Sequence, residues 1–299
     1  MSQSTPPKPD RGRKSQAGSA GSGADLHIHT THSDGACSPC QVVIAAVNVG
    51  LKALAITDHD TVSALEIARP EARRWGIELV PGIELSCDFD DREVHILGYF
   101  VRDDDPPLRA ATDRLRADRW SRLEAMADRL RTLGLSVDLE AVRRHHPRAV
   151  LGRRHLAEYL AKTGQISSPR EAFALYLGDK GPATEPKAKL PWAKAIELIR
   201  GAGGVASLAH PPFYLRLNML ERLVEAGLRG IEVEGPGISR SLERRWRAWA
   251  EQLNLVPTAG TDFHASDRPG RGGWVGAITT PLDCLERLRG LSRPGVASV

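Results

Sequence analysis

The sequence predicts an α/β chain: a parallel sheet or barrel interrupted by a helical insertion. Three observations point there. Short apolar segments alternate with amphipathic ones up to about residue 103 and again after residue 191. Helical periodicity alone fills the stretch between them. Polar residues cluster at or just after the C-terminal ends of the apolar segments, where α/β barrels carry their functional groups.

Residues 1–23 are rich in Ser, Gly, Pro and basic residues and have little to bury, so they read as a disordered tail. The first strand covers 24–30 and contains Asp25-Leu26-His27-Ile28-His29. Side chains alternate faces along a strand, so His27 and His29 share one side and Leu26 and Ile28 the other. Two imidazoles at this spacing can grip one metal ion, and the following Asp34-Gly35 turn can fold a carboxylate over the same place. A helix opens at Pro39 behind an Ser38 N-cap. The strand Ala53–Thr57 ends in Asp58-His59-Asp60, and a helical stretch runs to about Trp75 with Pro70 opening its second half. The segment IELVPGIELSCDF carries Glu84, and the alternating strand over 93–100 carries His95.

Residues 108–133 read as one long amphipathic helix, followed by shorter ones near 138–145, 153–162 and 169–177. A proline-rich loop covers 181–191. Between Arg109 and Arg154, twelve arginines face six acids. Such a run is either a solvated face or a basic lid, and Arg153, Lys180 and Lys187 are the candidates for gripping a second phosphate or an RNA backbone. Alternation then returns. Helix 192–202 precedes a strand ending at His210, helix 218–227 precedes GIEVEG with Glu232, and helix 240–253 precedes VPTAGTDFH with Asp262 and His264. A last helix occupies 282–290. The expected organisation is a tail over 1–23, a barrel from 24–103 and 188–299, and a helical insertion over 104–187.

The chain of 299 residues is long enough for one large core or two domains. No run of 18 apolar residues suggests a membrane span, and the polar N-terminus does not read as a secretory signal. Cys37, Cys40, Cys87 and Cys284 are too few and too scattered for a disulfide framework, so a reducing, cytoplasmic compartment is expected. Cys37-Ser-Pro-Cys40 has redox spacing, but nothing around it resembles a thioredoxin, and packing is the expected role. His32 reads as a solvent-facing turn residue, His145-His146 as a helix end and His155 as a capping or helix-face group. Of the net charge of +4, the first 24 residues contribute +3, so the folded part is nearly neutral.

Six of the ten histidines fall at strand ends, which favours one polynuclear site over six separate structural histidines. The set of motifs, His-x-His with SDG, ITDHD, PGIELS, VHILGY, a strand ending in AHP and GTDFH, resembles the polymerase and histidinol phosphatase (PHP) family over residues 24–264. GRRHLAEYLAKTG and EAFALYLGDKGPA resemble its stand-alone nucleoside 3′,5′-bisphosphate phosphatases and 5′→3′ exoribonucleases. The resemblance implies a distorted seven-stranded β/α barrel with three divalent metals, often manganese. Carried over, a first ion takes His27, His29, Glu84 and Asp262, a second takes Glu84, His95 and His210, and a third takes Asp34, His59 and His264. Mixed imidazole and carboxylate ligands suit two or three ions of manganese, zinc or iron. Glu84 is the expected bridge, Asp58 a partner orienting a ligand imidazole, and Asp58, Glu84, His210 and Asp262 the expected catalytic group.

The implied activity is hydrolysis of a nucleoside 3′,5′-bisphosphate or an RNA 5′ end by a metal-bridging hydroxide, with no obligate protein partner and no membrane. The rivals are a histidinol-phosphate phosphatase and a non-catalytic, metal-stabilised module that binds nucleic acid. Two departures bear on substrate. Arg154 stands where the family motif usually has proline, and Pro212-Phe213 stand where a glycine and a basic residue are common.

Overall fold

The computed structural model describes residues 23–90, 92–187, 189–265 and 273–292. The tail expected over 1–23 lies outside the described residues except for Gly23. The elements run β1 (Ala24–Ile28), α1 (Pro39–Asn48), β2 (Ala53–Ile56), α2 (Leu65–Trp75), β3 (Glu78–Phe89) and β4 (Arg92–Tyr99). The helical region follows as α3 (Pro106–Thr132), α4 (Leu139–His145), α5 (Arg153–Lys162) and α6 (Pro169–Ala172), which widens into a π-helical turn over Phe173–Leu177. The chain returns through β5 (Leu190–Pro191), α7 (Trp192–Gly201), β6 (Val205–Leu208), α8 (Leu217–Glu225), β7 (Gly230–Glu234), α9 (Arg240–Gln252), β8 (Val256–Ala259) and α10 (Leu282–Leu291).

The strands lie in the order β1-β2-β3-β4-β6-β7-β8, with the short β5 paired beside β3. The ring is brought almost to closure by one parallel bridge, Ile28 to Phe263, between β1 and the extension of β8. The sheet is not all parallel. Only two residues separate β3 from β4, so the chain can only turn back on itself, and β4 runs antiparallel to both β3 and β6. The alternation within β3 sorts its faces: Ile83, Leu85, Cys87 and Phe89 enter the outer core, leaving Glu84 and Ser86 to the other face.

Ser38 and Gln41 form a reciprocal capping box at the start of α1. Pro70 does not open a second half of α2 but sits inside one continuous helix. Burial of Leu65, Ala68 and Ala72 on the core side offsets the hydrogen bond that proline removes. The four cysteines are free thiols, and Cys37 packs against the cluster under α1 and α2. Among the described residues no helix is long and apolar enough to cross a membrane.

Two cores meet along α3. Leu108 and Leu115 pack on the outer barrel core, whereas Leu123, Met126 and Leu130 belong to a separate cluster with Val142, Leu156, Leu160 and Leu177. Between these halves stands Arg119, whose guanidinium reaches Asp60 at the end of β2 at 2.5 Å and 2.8 Å, and Ser86 on β3 at 3.0 Å. Asp60 is 1% exposed. Burial alone would raise its pKa, but Arg119 and then Lys187 hold it below the ordinary carboxylate value.

Arg119→Ala would leave a buried, uncompensated carboxylate, and should destabilise the fold by roughly 3–5 kcal/mol in urea unfolding. Adding Asp60→Asn should recover much of that loss. A double variant no more stable than Arg119→Ala would show that Arg119 acts through packing rather than charge.

Candidate metal centre

Glu84 is the hub of the site. It is wholly buried, and its two carboxylate oxygens meet five imidazoles. Oε1 lies 2.8 Å from His95 Nδ1 and 3.1 Å from His210 Nε2. Oε2 lies 3.3 Å from His27 Nε2, 3.2 Å from His29 Nε2 and 3.0 Å from His59 Nδ1. On the far side of the two β1 histidines, Asp262 Oδ1 is 3.4 Å from His27 and 3.2 Å from His29. Asp34 Oδ1 is 3.1 Å from His264 Nε2 and 4.0 Å from both His29 and His59. The nine residues expected as ligands therefore come together in one place. Among the described residues three groups of ligand atoms are compact enough to hold an ion: His29, Asp34, His59 and His264; His27, His29 and Asp262; and His59, Glu84 and His95. The sharing of His29 and His59 between groups was not foreseen from sequence.

The donor set suits cations on its own chemistry. Among the described residues, Asp34 Oδ1, His59 Nδ1 and Glu84 Oε2 are buried without a hydrogen-bond partner, an arrangement that is costly unless something positive completes it. The charges already compensate one another. Burial disfavours the His29 cation, but Asp262 and Glu84 outweigh it and carry its pKa up to about 10. Burial also opposes His95, and Glu84 with Glu93 carries it up to about 9. For His59 burial prevails and the value falls to about 4. Glu84 itself is held well below the ordinary carboxylate range: burial pushes it up, and His59, His95 and His27 more than reverse that.

Behind the cage lies a layer of fixed partners. Glu232, seen in the sequence only as a polar residue late in a strand, is 2% exposed. Its Oε1 sits 2.9 Å from His27 Nδ1, and its Oε2 accepts the His210 N–H at 2.6 Å. This turns His27 Nε2 toward Glu84 and Asp262. Among the described contacts Asp58 meets no imidazole directly. Its carboxylate accepts from the Thr30 N–H at 2.7 Å, the Thr30 hydroxyl at 2.6 Å and the Ser33 hydroxyl at 2.5 Å. Ser33 Oγ in turn is 3.4 Å from His29 Nδ1. Asp58 is buried and fully engaged in holding the 30–33 turn, which sets it apart from a group that meets substrate. Asp25 does the same for the β8 end, accepting from Thr261 and Gly276. His32 is buried, not solvent-facing, and lies 2.7 Å from Ser63 Oγ. His155 caps α5, its Nδ1 accepting the Gly152 N–H at 3.1 Å.

Two of these residues have left-handed backbone, His210 at φ 25° and Asp262 at φ 46°. Such conformations cost about 1–3 kcal/mol each and persist where the surroundings over-determine them. Gly260 has a different reason. A Cβ there would collide with the His27 side chain and lie 2.6 Å from its backbone nitrogen, so only glycine lets β8 approach β1 this closely.

The cage opens into a cleft of about 570 Å³ edged by Pro236 and Gly237. Of the three basic candidates, Lys187 lies nearest the cage, its Nζ 2.6 Å from Glu93 and 2.9 Å from Ser86 Oγ. Glu93 in turn lies 3.1 Å from His95 Nε2. Arg153 is 28% exposed and pairs at 2.7 Å with Asp179, itself 90% exposed. Lys180 is exposed on the turn after it, and no cage residue touches it among the described contacts. Sequence reasoning passed over Arg119 and Arg122, which lie with Arg153 in one crowd of cations. Their signal was present in the arginine run, but its face was not.

A PHP domain family model matches residues 25–189. A 5′-3′ exoribonuclease of Haemophilus influenzae is 34% identical over 80% of this chain and 89% of its own length. A 3′,5′-nucleoside bisphosphate phosphatase of Chromobacterium violaceum is 33% identical over 83% of this chain and 88% of its own. Among solved structures, a protein of Bifidobacterium adolescentis described as a metal-dependent phosphoesterase superposes with a TM-score of 0.85 at 27% identity, covering 92% of this chain and 98% of that one.

Gly260→Ala should destabilise the protein by roughly 1–3 kcal/mol, the usual scale for forcing an extra methyl into a packed contact. Urea unfolding measures it. An unchanged midpoint would mean that β8 and β1 can part without cost.

Proposed function

Because the chain belongs to the PHP domain family and is a metal-dependent phosphoesterase, we propose that it hydrolyses nucleotide phosphate esters, either a nucleoside 3′,5′-bisphosphate or the 5′ end of RNA. The observation that carries this reading is the single buried carboxylate of Glu84 ringed by five imidazoles from four strand ends. Two or three ions of manganese, zinc or iron suit this imidazole and carboxylate set. His27, His29, Glu84 and Asp262 would hold one, Glu84, His95 and His210 another, and Asp34, His59 and His264 a third. Bound there, the ions supply Lewis acidity toward a phosphoryl oxygen and lower the pKa of a coordinated water.

The protein's own groups do the rest. Glu232 fixes the His27 tautomer and the His210 backbone, and Asp58 acts through Ser33 and Thr30 to hold the turn that carries His29 and Asp34. Both are positioning residues. Glu84, His210 and Asp262 remain the proposed catalytic group, since each would touch the ions that touch substrate. The insertion over 104–187 is the proposed substrate lid, with Arg153 and Lys187 as phosphate contacts and Lys180 as a more distant one. The Arg153–Asp179 pair supports this role, because its aspartate is largely in solvent, so the pair contributes little and a phosphate can take the place of Asp179. Four free thiols favour a cytoplasmic setting.

Protein purified without chelator should contain at least two transition-metal ions per chain by elemental analysis, and Glu84→Gln should lose more than one of them. Loss of one ion only would remove Glu84 as a bridge. The wild type should cleave nucleoside 3′,5′-bisphosphates or short 5′-phosphorylated RNA well ahead of histidinol phosphate. Preference for histidinol phosphate, or no hydrolysis by metal-loaded protein, would overturn the assignment.

Arg153→Ala should lower kcat/KM for a bisphosphate or RNA 5′ end by roughly 1.5–3 kcal/mol, the scale of a charge-assisted hydrogen bond. A simple aryl phosphate, which has no second phosphate to present, should lose far less. Equal losses on both would assign Arg153 to folding or to the chemical step.

A further inference from the structure

We propose that Phe213 is a stacking platform for the nucleobase of the substrate, an inference that rests on the nucleotide reading above. Phe213 is 76% exposed, more than any other large hydrophobic side chain among the described residues. A lone exposed phenylalanine usually means nothing. This one stands on a built support beside the cage.

His210 closes the Glu84 side of the cage, and its backbone is pinned by Glu232. Pro211 and Pro212 follow, and each ring locks its own φ, so the direction in which the chain leaves His210 is set. The Leu215 N–H then donates to the Pro212 carbonyl at 2.9 Å, closing a turn with Phe213 and Tyr214 at its centre. Tyr214 meets Phe213 edge-on, with centroids 5.5 Å apart and planes at 79°. The Arg92 guanidinium, at the start of β4, lies 4.5 Å over the Tyr214 ring. The turn is thus braced by the β3–β4 hairpin, whose Glu93 and His95 belong to the same side of the site. The second ring of the pair is engaged; the first faces water.

Reach and chemistry select the ligand. Phe213 lies three positions beyond His210, at most about 10 Å of extended chain. That is the scale of one nucleotide from phosphoryl group to base. An aromatic face offered to solvent at that range suits a flat π-system, and every nucleobase has one. Stacking at this place favours purines over pyrimidines because the larger base covers more of the ring.

The test uses the full-length, metal-loaded enzyme with adenosine 3′,5′-bisphosphate and its base-free counterpart, 1-deoxyribose 3′,5′-bisphosphate. Phe213→Ala should raise KM for the adenosine substrate about tenfold, the scale of one base–aromatic stack, with kcat within about twofold. KM for the base-free substrate should stay within about twofold, and Phe213→Trp should restore the adenosine value. Calorimetric affinity for adenosine 5′-monophosphate should fall in parallel in Phe213→Ala, and that for ribose 5-phosphate should not. An equal change on both substrates, or none on either, overturns the platform while leaving the nucleotide reading intact. A wild type that hydrolyses neither substrate overturns that reading, and the platform with it.

Discussion

Everything in this structure is arranged around one buried negative charge. Glu84 has no solvent exposure, and a carboxylate taken out of water is costly unless it is paired closely and completely. The chain meets that cost with imidazoles from β1, the end of β2, β4 and the end of β6, four elements that only a closed or nearly closed sheet can aim at one point. The alternation of β3 then follows of necessity. Shifting β3 by one residue would exchange Glu84 for Ile83 or Leu85 and put apolar side chains in the cage.

The compensation also has to be rigid, and here the surrounding layer matters more than the ligands. Asp25, Asp58 and Glu232 are three further buried carboxylates, and each is satisfied by backbone N–H groups or hydroxyls belonging to the strand ends. Each ties a cage-bearing segment to a neighbouring strand: Thr30 to Asp58, Thr261 to Asp25, His210 to Glu232. The left-handed backbones of His210 and Asp262 are held inside this network, so their strain is maintained by bonds made elsewhere.

Much of this was legible in the sequence because metal-type donors recur at strand ends: six histidines at five strand ends are not the pattern of helix faces or turns. The start of α1 was legible because Ser38 and Pro39 form a local cap, whereas the capping carboxylates of Asp105 and Asp138 on α3 and α4 came only with the structure. What was hidden depends on contacts across the chain. Nothing local marks Glu232 as the partner of His27, 205 positions away, or turns His32 inward onto Ser63. The antiparallel β4 was missed because apolar alternation carries no direction; only the two-residue connection does. Asp58 was read as a partner orienting a ligand imidazole; its carboxylate reaches across to the β1 turn, where Ser33 stands between it and His29.

The cage and the helical insertion share two acidic joints. Asp60 adjoins His59 and binds Arg119 of α3; Glu93 lies against His95 and binds Lys187. In each joint one carboxylate faces an imidazole or its neighbour on one side and a lid cation on the other, so the position of the insertion and the charge of the cage are set together. The joints also sort the arginine run by chemistry. Arg119 is paired with the buried Asp60 and Lys187 with the more open Glu93, while Arg122 donates to the Glu185 carbonyl and Arg153 to an exposed aspartate and the Leu177 carbonyl. Burial and the nearby charges of Arg153 and Arg119 lower the Arg122 pKa, which is the mark of cations gathered without enough anions. A site that crowds positive charge beside a cage of metal-type ligands is short of negative charge, and a polyanionic substrate is what would supply it.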